Sequence, residues 1–117
     1  MKKIKEQINM LELTPVQLLT SEYREDGQID VLVPRFKNSF LQKMLPKNRS
    51  PYIKANLDEI GTAVWELIDG KRTVNEIAAI LEEKFQEAIS PVHQRLAAFM
   101  RNLNANKFIT FIEFMEK

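Results

Sequence analysis

The spacing of apolar residues changes several times along this chain, and each change marks a different element. Between residues 16 and 34, Val16, Leu18, Leu19 and Tyr23 precede Asp26-Gly27, and Ile29, Val31, Leu32 and Val33 follow it. Two such runs around Asp-Gly predict a β-hairpin with a two-residue turn, both central positions taking positive φ. Pro34 cannot donate to a ladder and closes the second strand. From 35 to 51 the period becomes helical. Phe36, Phe40, Leu41, Met44 and Leu45 recur at three and four, Pro46 stops them, and a polar loop runs to Pro51.

The second half is mostly helical in pattern. Tyr52 to Ala55 reads as a short strand. Asn56 followed by Glu59 has capping-box spacing and predicts a helix from Leu57 to Asp69, with Ile60, Val64, Leu67 and Ile68 as its apolar stripe and Gly70 as its stop. Thr73 and Glu76 repeat the box before a second helix bearing Val74, Ile77, Ala78, Leu81 and Phe85. Ser90-Pro91 predicts a hydroxyl cap and a first-turn proline for a third helix, striped by Val92, Leu96, Phe99, Met100 and Leu103 and ended by Asn104 and Asn106. The apolar run from Phe108 to Phe114 reads as a closing strand, paired within the chain or across a homodimer.

This order predicts one α+β domain of winged helix-turn-helix-like type. It comprises an arm (1–13), a hairpin (14–34), an insert (35–51), and then a third strand, a three-helix bundle and a C-terminal strand (52–112). Glu6, Gln7 and Asn9 interrupt the basic N-terminus, so no secretory signal is expected, and no apolar run has the length of a membrane span. The expected location is cytoplasmic. The chain has no cysteine, which excludes disulfides, thiolate catalysis and cysteine-based metal sites. Its formal net charge of +1 supplies no global attraction to nucleic acid or anionic lipid.

Catalytic chemistry is thinly represented. His93 is the single histidine and has no metal-ligand spacing around it. Glu25-Asp26, Asp58-Glu59 and Glu82-Glu83 each have a sufficient role in a turn, a helix start or a solvated face. Gly27, Gly61 and Gly70 form no phosphate loop, and Gly61 inside a helix reads as close packing. Trp65 reads as core. The expectation is a binding protein with no catalytic residue, no metal and no cofactor.

The stretch LDEIGTAVWELIDGKRTVNEIAAILEEKF, then F-M-R-N-L at 99–103 and a closing apolar strand, resembles the PqqD-like family. These are small proteins of pyrroloquinoline quinone synthesis and related precursor-peptide recognition domains. The matching features are the polar residue opening the first helix, Gly61, the I-D-G-K-R-T-V turn at 68–74 and the E-I-A-A-I-L run at 76–81. The longer insert at 35–51 and the charged arm depart from the family. The resemblance implies a non-catalytic adaptor. A precursor's leader peptide adds as a strand beside the third strand, packs against the third helix, and is presented to a modifying enzyme, often a radical SAM enzyme. On this sequence the strand is Tyr52, Ile53, Lys54, Ala55 and Asn56. The third helix offers the guest two flanks, His93, Ala97, Arg101 and Asn104 on one side and Arg95 and Asn102 on the other; the first is expected to face it, with Met100 at the pocket edge, because Ala97 leaves room for an incoming side chain.

Two rival readings are a winged-helix transcription factor and a scaffold subunit of an enzyme complex. The third helix does carry His93, Gln94, Arg95, Arg101, Asn102 and Asn104, types that read base edges. Glu76, Glu82, Glu83 and Glu87 on the preceding helix and the near-neutral charge argue against a duplex partner.

Overall fold

A computed structural model describes residues 9–34 and 52–115. In chain order its elements are β1 (Pro15–Gln17), β2 (Ser21–Tyr23), β3 (Ile29–Pro34), β4 (Tyr52–Asn56), α1 (Glu59–Leu67), α2 (Val74–Phe85), α3 (Val92–Ala105), β5 (Ile109–Phe111) and the single turn α4 (Ile112–Met115). The chain is α+β, with all strand pairing antiparallel. It divides into two compact units, Leu19–Thr62 and Met1–Leu18 with Ala63–Lys117, and the division falls inside α1.

The Leu19–Thr62 unit is a three-stranded sheet in the order β2-β3-β4, followed by the first turn of α1. Alternation along β3 makes the sheet two-faced: Ile29 and Val31 are buried on one face, and Asp30 lies on the other. Arg24 and Gln28 close the β2–β3 hairpin, so its loop is the three residues 25–27 rather than two. Arg24 N–H donates to the Gln28 carbonyl, and Gly27 N–H to the Arg24 carbonyl at 3.0 Å. Only Gly27 takes positive φ, at +87°, the conformation at which a type I turn is followed by a bulge.

The same unit contains the start of α1, and the expected Asn56–Glu59 box is absent there. Asp58 caps instead, its Oδ1 accepting from Gly61 N–H at 2.7 Å. A Cβ on Gly61 would meet Asp58 Oδ1 at 3.1 Å and Leu57 Cβ at 3.3 Å, which explains the glycine as close packing within the first turn.

In the other unit, β1 pairs with β5, matching Val16 with Thr110. The first half of the predicted hairpin is thus split, Val16 joining the C-terminal strand and Tyr23 pairing with Ile29. Pairing stops at Phe111, where α4 begins, so the expected strand to Phe114 is three residues long. The core holds Trp65, Val74, Ile77, Leu81, Leu96, Met100, Leu103, Ile109 and Phe111. Leu13 and Pro15 sew β1 to the helices, their carbonyls accepting from Val74 N–H at 2.8 Å and Gly70 N–H at 3.0 Å.

Helix ends in this unit follow the expectations in part. The Thr73–Glu76 capping box forms, and Gly70 sits at φ +77°. Pro91, not Ser90, occupies the position before α3, with no side-chain cap. α3 ends in a Schellman arrangement: Phe108 N–H donates to the Leu103 carbonyl, Lys107 N–H donates to the Asn104 carbonyl, and Lys107 takes φ +66°. Of the arm, Met10–Glu12 forms a 3-10 turn capped by Asn9. The helix expected in the insert at 35–51 lies outside the described residues.

Candidate functional site

β4 is the outer strand of its sheet among the described residues, and ladder parity shows which of its main-chain groups face outward. Leu32 N–H donates to the Thr20 carbonyl at 2.9 Å, so the main chain of Leu32 faces β2. In an antiparallel ladder successive residues bond to opposite sides. Val31 and Val33 therefore face β4, where their partners are Ala55 and Ile53. Leu57 N–H continues that ladder by donating to the Ile29 carbonyl at 2.9 Å. Hence Ile53 and Ala55 bond inward, and Tyr52, Lys54 and Asn56 turn their N–H and C=O groups away from β3.

Side chains along β4 alternate as well. Ile53 and Ala55 share the face of Val31 and Val33, and Ile53 is 50% exposed. Tyr52, Lys54 and Asn56 share the face of Asp30. Lys54 Nζ pairs with Glu22 of β2 at 2.9 Å, an exposed contact that raises the lysine pKa through the Glu22 hydrogen bond. As an exposed pair it contributes at most ~1 kcal/mol.

A more buried polar cluster lies beside it. Asp30 and Asn56 are direct cross-strand partners, and the Asn56 side-chain amide donates to Asp30 Oδ1. Their pair lacks main-chain bonds to each other, the geometry in which antiparallel side chains approach most closely. Arg24 Nη1 donates to the same carboxylate at 2.6 Å. The guanidinium also reaches the Ile29 carbonyl at 3.2 Å, the Leu57 carbonyl at 3.0 Å and Gln28 Oε1 at 3.1 Å. Asp30 is only 5% exposed, yet its carboxyl is held below its ordinary range, first by the Asn56 hydrogen bond and then by Arg24. Sequence reasoning missed Asp30 and Arg24. A single acid between Ile29 and Val31 reads as a solvent-facing strand position.

The helix-borne candidates all lie on α3, in the other unit. His93 is exposed, with Nε2 3.2 Å from Asn75 Oδ1. Ala97 is half-buried and Arg101 exposed. Asn104 turns back to donate to the Ile109 carbonyl at 3.1 Å, so its amide ties α3 to β5. Met100 departs from the expected pocket edge: it is fully buried in the core stripe between Leu96 and Leu103. Trp65 is core, as its place beside the α1 stripe implied.

Among the described residues no three His, Asp or Glu side chains gather as a metal site, and no described helix is long and apolar enough to cross a membrane. What the fold presents is a small α+β module with an exposed strand edge braced by polar contacts. The family profile described as "Coenzyme PQQ synthesis protein D (PqqD)" matches residues 44–109, more than half of the chain. The chain belongs to the PqqD family. It is also similar to a protein of Rahnella aquatilis named "PqqA binding protein", with 37% identity over 59 residues. That alignment covers 50% of this chain and 61% of the relative. No solved structure matches.

Proposed function

We propose that this protein is a non-catalytic adaptor that binds a precursor peptide as an added strand on β4 and presents it to a modifying enzyme. The observation that carries the reading is the outward-facing main chain of Lys54 and Asn56. An extended guest satisfies such groups by hydrogen bonding, while its alternate side chains meet the two faces of the sheet. Family membership and the printed name of the Rahnella relative support a peptide as the guest.

Magnitudes fit a moderate binder. Four main-chain bonds, two at Lys54 and two at Asn56, contribute roughly 2–6 kcal/mol net in total. Micromolar affinity needs ~8 kcal/mol, so guest side chains beside Ile53 and Ala55 supply the remainder by apolar burial. Ala97 and Arg101 enter the reading through the family resemblance, which assigns the third helix to the guest. A radical SAM enzyme as the recipient, and the cytoplasm as the location, belong to the same proposal.

The test is a titration of the full chain with synthetic PqqA and with synthetic copies of the short peptides encoded beside its gene. Lys54→Pro removes an outward N–H and leaves the inward ladder intact; Ile53→Pro breaks that ladder. The expected result is a folded Lys54→Pro protein that has lost peptide binding. Normal binding by the folded variant excludes strand addition at this edge. DNA binding with a steep salt dependence would instead favour a transcription factor. Stable association with an enzyme but with none of the peptides would favour a scaffold.

A further inference from the structure

Two of the three outward-facing residues, Lys54 and Asn56, have their side chains held by a carboxylate from another strand of the sheet. Glu22 of β2 holds Lys54 at 2.9 Å, and Asp30 of β3 holds Asn56. The two contacts differ in kind. Lys54 and Glu22 are about half exposed, so that pair exchanges readily with water. Asp30 is buried and accepts from Asn56 and Arg24 at once. Arg24 in turn donates to carbonyls at the start of β3 and just beyond the end of β4, Ile29 and Leu57.

We infer that Asp30 is a positioning residue for guest-strand addition: by fixing the Asn56 side chain, and the β4 end through Arg24, it sets the pleat at which Asn56 offers its main chain to the guest. This inference rests on the proposed strand addition. The physical basis is local. An edge strand has ladder bonds on one side only, so its outer groups are oriented by whatever restrains its side chains. Asn56 stands at the last position of β4, where the strand gives way to α1 and the restraint has most effect. The Asp30 carboxylate accepts both donors simultaneously, as an ionised carboxyl with several lone pairs does. Both donors meet the same oxygen, Oδ1, so asparagine at position 30 would keep the shape and that acceptor but lose the charge facing Arg24.

The experiment compares the wild-type chain with Asp30→Asn, Asn56→Ala and the exchanged double variant Asp30→Asn/Asn56→Asp. Each is titrated with the synthetic PqqA and neighbouring-gene peptides well below its melting temperature. Amide hydrogen exchange is read at Ala55 and Leu57, whose N–H groups bond inward to β3, with core amides of α2 as the reference. Each single variant should lose affinity roughly tenfold, about 1.4 kcal/mol, and exchange should rise at Leu57 while α2 is unchanged. The double variant, which restores an amide–carboxylate pair with its roles exchanged, should recover most of the affinity. Unchanged binding in both folded single variants overturns the inference, as does a loss that the exchanged pair leaves uncorrected. If the wild-type chain binds none of the peptides, strand addition fails and the inference falls with it. The exchange data then report only whether Asp30 restrains the end of β4: faster exchange at Ala55 and Leu57 would leave that structural role, and unaltered exchange would remove it as well.

Discussion

Thr14 and Glu113, at opposite ends of the chain, are joined by two hydrogen bonds. Thr14 donates its N–H to one carboxylate oxygen of Glu113 and its hydroxyl to the other, each at 2.9 Å. The pair locks the entry to β1 onto the turn that follows β5, next to the Ile112 N–H to Thr14 carbonyl bond of 2.8 Å. Glu113→Ala should lower unfolding stability by ~1–2 kcal/mol, because two hydrogen bonds to its carboxylate are lost at an exposed site. A double-mutant cycle with Thr14→Val in urea should show coupling between the two sites. Additive effects would mean that the pair contributes nothing jointly.

Lys107 occupies the left-handed position after α3, at φ +66°, where most helices place glycine. A side chain in that conformation costs roughly 1–2 kcal/mol. Lys107→Gly should therefore stabilise the protein by up to about 1 kcal/mol, part of the gain being offset by the greater freedom of glycine in the unfolded chain. The urea midpoint reports it. A lower midpoint would mean that the lysine side chain makes a contact outweighing the strain.

Met100 is fully buried, so its removal should act on stability before it acts on recognition. Met100→Ala should cost about 2–5 kcal/mol through lost burial and the cavity left behind. Peptide affinity of the protein that remains folded should change little. A variant of native stability that had lost peptide binding would return Met100 to a groove.

Acid should destabilise the protein through its hydrogen-bonded aspartates. Asp30 is held below the ordinary aspartate value of 3.8 by Asn56 and Arg24, and Asp69 by the N–H groups of Arg72 and Lys71. A carboxyl whose folded pKa lies below its unfolded one stabilises the fold above the unfolded value. That stabilisation disappears as pH falls through the folded value. Melting temperature should accordingly drop below about pH 4, and the drop should be shallower in Asp30→Asn, which lacks one of these groups. Parallel wild-type and Asp30→Asn profiles would assign the acid response to other carboxyls.

Features fixed by neighbouring residues were readable in advance, and features fixed by distant partners were not. Thr73 and Glu76 satisfy each other three positions apart, so the start of α2 followed from residue type. Gly70 takes the expected positive φ, but α1 ends earlier, at Leu67, and the Gly70 N–H turns to the Pro15 carbonyl. The split of the first strand did not follow from residue type, because the partners of Pro15 to Gln17 lie at 109–111. Asn56 and Asp58 are both good capping residues. Asn56 instead ends β4, its amide donating to Asp30 on the adjacent strand, and Asp58, next to the helix, takes the cap. Lys107 carries no sequence mark of left-handed backbone. At the candidate site, β4 was legible as a short strand near the centre of the chain. The direction its main chain faces was not, since it is set by the register in which Ile53 and Ala55 pair with Val33 and Val31 of β3.

Residue-resolved amide exchange of β4, in the free protein and with saturating peptide, tests strand addition at its source. In the free protein the inward amides of Ile53 and Ala55 should exchange slowly and those of Lys54 and Asn56 quickly. With peptide bound, Lys54 and Asn56 should become as protected as their neighbours. If those two amides keep their fast exchange while the peptide is demonstrably bound, the guest does not pair with β4 and the proposed mode of recognition is wrong.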